Sequence, residues 1–173
     1  MDIGLLLLRV ALAAILYMHA AQKLFGWFSG PGLEKAGLIF HGLGQRPGRS
    51  MAVLAVTCEA GGATLVLAGL GTPLGAAIAA GTMLVAGLAM TMAKGTVWNA
   101  AGGGEYPLVL AAFAVVLGFT GPGRWSVDAT AAITGCAVIL IAAIAAGPPL
   151  LRTRTNLAAP AAAADTQNTS VSA

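Results

Sequence analysis

Residues 4–25 read GLLLLRVALAAILYMHAAQKLF, a run apolar for long enough to cross a bilayer and yet interrupted by Arg9, His19 and Lys23. A helix needs roughly 20 such residues to traverse the hydrocarbon core. A charge at mid-bilayer costs from about 2.5 kcal/mol upward, so residues of this kind face the bundle interior and find partners there. Further apolar runs cover residues 50–70, 74–93, 106–120 and 129–147, and the first of these holds Glu59. Over the whole chain 58% of residues are hydrophobic, only 9% are charged, and the mean hydropathy is +0.86. Soluble domains carry about 25% charged residues. The reading is therefore an all-α fold, a polytopic membrane helical bundle with a four-helix core over 1–128 and an additional span over 129–150. Residues 151–173 are rich in Ala, Thr, Asn, Ser and Pro, show no apolar period, and are expected to form a disordered tail.

Between the runs, Gly71-Thr72-Pro73 is a tight turn that makes the second and third spans an antiparallel hairpin. Gly102-Gly103-Gly104 and Gly121-Pro122-Gly123 bracket the short fourth run. The long connection from Phe28 to Arg49 contains Leu33, Ala36, Ile39, Phe40 and Leu43 at helical spacing behind Pro31, which predicts an interfacial helix over about 31–44. The N-terminus lacks a basic n-region and its apolar run is long, so it reads as an uncleaved span. Five spans with the N-terminus outside put Lys35, Arg46, Arg49, Lys94, Arg152 and Arg154 inside and leave Arg124 outside, the positive-inside arrangement.

A net charge of +3 and a pI near 9.2 do not indicate nucleic acid, because the basic residues form no stripe. Cys58 and Cys136 lie in apolar runs without ligand spacing, and with two histidines in the chain no metal site is expected. Met83, Met90 and Met92 read as core filler.

The polar constellation is more specific. At 100° per residue, Lys23 lies about 40° and His19 about 80° from Arg9 on the same side of the first helix. Two cations and a histidine on one stripe call for anions. Glu59 is the mid-span candidate, in Cys58-Glu59-Ala60-Gly61-Gly62, where the glycines would allow a neighbouring helix to approach. Pairing of Glu59 with Arg9 or Lys23 is expected. Glu105 and Tyr106 open the fourth span beside Pro107 and are expected at the mouth of a cavity; an N-terminal cap accounts for the acid but not for the tyrosine. His19 and Glu59 are the candidate proton-transfer residues, with Arg9, Lys23, Glu105 and Tyr106 as candidate binding residues. The alternative is a salt-bridge network that only sets helix register. The aromatic run after Lys23, Phe25-Gly26-Trp27-Phe28, also fits an interfacial belt with a snorkelling lysine.

In order and spacing, His19-x-x-x-Lys23-Leu-Phe-Gly-Trp-Phe, Pro31-Gly-Leu-Glu, Glu59-x-Gly-Gly, Gly104-Glu-Tyr-Pro-Leu and Gly121-Pro-Gly-Arg-Trp-Ser-Val-Asp128 resemble the DoxX family of bacterial membrane proteins, over about residues 4–130. That resemblance implies a bundle of about four helices in the cytoplasmic (inner) membrane and an association with redox chemistry, including quinone-linked thiosulfate oxidation and membrane complexes with superoxide dismutase and a sulfurtransferase. The run over 129–147 and the start Met1-Asp2 depart from the family pattern.

Three functions follow as expectations. The first is a membrane subunit of a quinone-linked redox or oxidative-stress complex, binding a quinone and no covalent cofactor. The second is a non-catalytic adaptor that recruits soluble redox enzymes. The third is a small transporter, marked by intramembrane charge. The lipid bilayer is a partner in each, and further copies of the chain are a candidate one.

Overall fold

A computed structural model describes residues 2–127 and 135–171. The described residues form six α-helices and one short 3-10 turn: α1 (Asp2–Phe25), α2 (Gly32–Gly42), α3 (Gly48–Ala68), α4 (Thr72–Lys94), the turn Asn99–Ala101, α5 (Glu105–Thr120) and α6 (Gly135–Val171). The fold is an all-α polytopic membrane bundle. Four segments are long and apolar enough to cross a membrane: α1, α3, α4 and Ala137–Ala159 of α6. The fifth apolar helix, α5, has 16 residues. At 1.5 Å per residue it is about 24 Å long against a hydrocarbon thickness of about 30 Å.

Consecutive spanning helices run in opposite directions, so the bundle has two distinct ends. One end gathers the start of α1, the α3–α4 hairpin and residues 121–127, tied by Asp2 Oδ1 accepting from Arg124 N at 3.2 Å and Ala68 O accepting from Val127 N at 3.1 Å. The other gathers residues 26–47, the 95–104 connection and the later part of α6. These are called the hairpin end and the connection end below. Helix α4 is the hub, packed against α3, α5 and α6, while α1 packs mainly on α3.

In lipid the hydrophobic effect does not drive spanning helices together, so close backbone approach must do it. The α4–α5 contact shows how close. A Cβ placed on Gly104 would lie 1.8 Å from Gly87 O. The apolar core between the helices is accordingly rich in alanine, with Ala13, Ala63, Ala79, Ala80, Ala111 and Ala114 packed around Leu12, Leu16, Met83 and Leu117.

Helix α2 turns Ala36 and Gly37 inward, while Leu38 and Ile39 are exposed. Of the glycines expected to admit a neighbour beside Glu59, Gly62 does so, with its Cβ position 3.3 Å from Ile78 Cγ2 on α4. Gly61 faces open space.

Where a disordered tail was expected from residue 151, the first turns beyond it are helical and docked on the bundle. Helix α6 continues to Val171, and Thr153 is fully buried. Gln45 Nε2 donates to Pro149 O at 3.1 Å and to Thr153 Oγ1, and Asn156 Nδ2 donates to Gly44 O at 2.7 Å. Alanine and leucine favour the helix locally. Polar docking onto residues 44–45, which leaves no apolar period in the sequence, holds it against the bundle. The extra span expected over 129–150 is described from Gly135 onward; residues 128–134, Asp128 among them, lie outside the described residues.

Candidate functional site

The charged residues of α1 part company in three dimensions. Arg9, 1% exposed, lies at the hairpin end, where α3 stops. The last carbonyls of a helix have no partner within it and carry the negative end of its dipole. Arg9 supplies those partners from the neighbouring helix: Nε donates to Val66 O at 2.9 Å and Nη2 to Leu67 O at 2.6 Å. Its Nη1 reaches the 121–127 segment and donates to Pro122 O at 3.0 Å and Trp125 O at 2.5 Å. Gly69, the left-handed C-cap of α3 at φ 65°, makes room for this, since a Cβ there would lie 2.5 Å from Arg9 Nη2. The guanidinium is thus committed to four backbone carbonyls. It does not meet Glu59.

Glu59 meets Lys23 instead. Lys23 Nζ lies 2.6 Å from Glu59 Oε1 and 2.8 Å from Oε2, with the carboxylate side chain 1% exposed and the lysine side chain 19%. Lys23 is in the last turn of α1, at the connection end, and reaches inward to a carboxylate near the middle of α3. The pair therefore has a buried member and a member with access to the surface. One turn before Lys23, the half-buried His19 ring stands 5.7 Å from the Tyr106 ring, tilted by 53°. Among the described residues His19 makes no hydrogen bond, so both imidazole nitrogens are open. Tyr106 is 42% exposed.

Glu105 takes a local role. Its carboxylate accepts from Asn99 N at 3.0 Å and its own N–H donates to Val97 O at 2.8 Å, closing the 97–105 connection below α5. Of the six residues singled out in the sequence, the structure brings Lys23 and Glu59 into an ion pair and His19 and Tyr106 into ring contact at the same end. Arg9 stands at the other end, and Glu105 faces its own loop.

Two polar contacts went unread in the sequence. Tyr17 Oη and Thr64 Oγ1 are 2.9 Å apart across α1 and α3, and the 44–45 segment fastens α6 through Gln45 to Thr153 and Asn156 to Gly44 O. The polar residues in otherwise apolar runs, Tyr17 and Thr64, were the available signal for the first. Nothing local marks the second.

The DoxX family model matches residues 4–92. This chain belongs to the DoxX family. The match takes in α1 to most of α4, and with them Arg9, His19, Lys23 and Glu59; Tyr106 and α6 lie beyond it. No curated protein and no solved structure matches the chain.

Proposed function

We propose that this DoxX-family protein is the membrane subunit of a quinone-linked redox or oxidative-stress assembly in the bacterial cytoplasmic membrane, with the connection end facing the cytoplasm. The observation that carries the reading is His19: a half-buried imidazole with both nitrogens open, against the exposed Tyr106 ring and one turn from the Lys23–Glu59 pair. These groups suit a flat, carbonyl-bearing headgroup at the edge of the bilayer. A quinone, when bound, accepts two electrons and two protons, the electrons here coming from a soluble partner enzyme or a small inorganic reductant. His19 holds a hydrogen bond to a carbonyl oxygen and is the group placed to pass a proton to it. Tyr106 offers a ring face and a hydroxyl. Lys23, neutralised by Glu59, keeps positive charge beside the site without leaving it uncompensated. Arg9 and Glu105, held by their own contacts, stand outside it.

The test is titration of the purified full chain in lipid nanodiscs with a short-chain quinone, followed by tryptophan fluorescence. Binding is expected, and His19→Ala should weaken it about three- to tenfold, the worth of one hydrogen bond. A wild-type chain that binds no quinone would sink the reading.

A second reading rests on a different observation. Helix α6 runs on to Val171, beyond the apolar segment that ends at Ala159. Such a projection suits an adaptor for soluble redox enzymes. Crosslinking in native membranes should then recover partners that are lost on truncation after Ala159 and kept in His19→Ala.

A further inference from the structure

We propose that residues 25–30, at the end of the first span, form an aromatic anchor that seats the connection end in the headgroup layer of the bilayer. Ile3, Leu7, Val10, Met18 and Phe25 of α1 are all exposed. At 100° per residue they fall within about 80° of one another, on the side of the helix opposite Arg9, His19 and Lys23. This stripe is the lipid-facing surface of a helix long enough to cross the membrane. It does not stop where the helix stops. The Phe25 ring stands 5.1 Å from that of Trp27, and the Trp27 ring stands 6.5 Å from that of Phe28 in an edge-to-face arrangement. All three residues are exposed, and from Leu24 to Leu33 the chain carries no charge.

The backbone holds this cluster against a local penalty. Phe28 at φ 52° and Ser29 at φ 61° are consecutive left-handed residues, and among the described residues they are the non-glycine positions with positive φ. There Cβ crowds the following carbonyl oxygen, so such a conformation persists only where neighbouring contacts impose it. Gly30 N donates to Trp27 O at 2.9 Å, and Gln22 Nε2 donates to Phe28 O at 3.4 Å. Gly30 also lies so close to α1 that a Cβ on it would be 2.5 Å from Gln22 Cα. The turn is thus folded back on the last turn of α1, with the rings left outside and next to one another. Their position selects the occupant. They continue a lipid-facing stripe at the level where a span ends, and aromatic rings are favoured at that boundary. A lysine at a helix end is the other usual anchor, but Lys23 is turned inward onto Glu59, so the rings take its place. None of this depends on what binds at His19.

The chain has three tryptophans, so the variant W98F/W125F leaves Trp27 as the sole reporter in the full chain. It can be placed in phosphatidylcholine nanodiscs brominated either near the headgroup end of the acyl chains or near their methyl ends. Trp27 emission should be shifted to shorter wavelength than that of tryptophan in water. It should be quenched more by the shallow bromine than by the deep one, and only weakly by iodide in the aqueous phase. Strong iodide quenching with none from lipid, the result for a face turned to water or to a soluble protein, would overturn the proposal, as would strongest quenching by the deep bromine. Two changes in the same background then test the turn. Proline fixes φ at about −65°, so S29P should lose most of the shallow quenching. Glycine accepts the left-handed backbone, so S29G should keep it. Unchanged quenching in S29P, or its loss in S29G, would remove the turn from the anchor. The first measurement and S29G disturb the fold little, so the anchor stays testable even where S29P does not fold.

Discussion

Arg9 and Lys23 belong to the same helix and the same helical stripe, yet each meets a different kind of partner. At the hairpin end Arg9 is sealed among four backbone carbonyls. At the connection end Lys23 meets the carboxylate of Glu59, remains partly exposed, and has the open imidazole of His19 one turn away. Carbonyls neither gain nor lose a proton near neutral pH, so the Arg9 arrangement can only hold. It ties the end of α3 and the 121–127 segment to α1. Lys23 and His19, by contrast, keep access to the surface beside the buried Glu59 carboxylate. An intramembrane charge is thus a marker of function only after its partner and its access to the surface are known.

The largest effect should come from breaking the hairpin end. Arg9→Ala leaves the carbonyls of Leu67, Pro122 and Trp125 without their donor and Val66 O with the Gly69 N–H alone, each orphaned group costing about 1–3 kcal/mol and the set less than additive, so a loss of about 4 kcal/mol or more is expected. Thermal unfolding in detergent measures it, and Arg9→Lys should recover little because a point charge cannot replace the planar fork. An Arg9→Ala protein that melts like the wild type would erase the distinction between the two ends. Next comes Glu59→Ala, which strips the ammonium of its buried partner and should cost about 3 kcal/mol. The double variant Lys23→Ala/Glu59→Ala should recover part of that, and a cycle showing less than about 0.5 kcal/mol of coupling would mean the pair is not one unit. The smallest effect on stability should be that of His19→Ala, below about 1 kcal/mol because no hydrogen bond is lost. If the contrast holds, this variant alone separates headgroup binding from melting temperature.

Much of the bundle was legible in the chain. The five apolar runs, the Gly71-Thr72-Pro73 hairpin and the stripe of Arg9, His19 and Lys23 follow from hydropathy and the helical period. Lys23 and Glu59 were a natural pair on charge alone. Arg9 was misassigned to the same cluster because backbone carbonyls, its true partners, are present at every residue and leave no sequence signal. The end of α6 was missed for a related reason. Its anchors are Gln45, Thr153 and Asn156, whose significance lies in a contact and not in a period.

By itself the sequence determined that this chain is a bundle of membrane-spanning helices and which faces of those helices carry charge, because burial in lipid and the 3.6-residue repeat act on each segment locally. Only the tertiary structure decided which charge meets which partner. That choice depends on where helices stop, how closely glycines let them approach and how far a side chain reaches. Those distances separate a guanidinium that locks a helix end from an imidazole left open beside an ion pair.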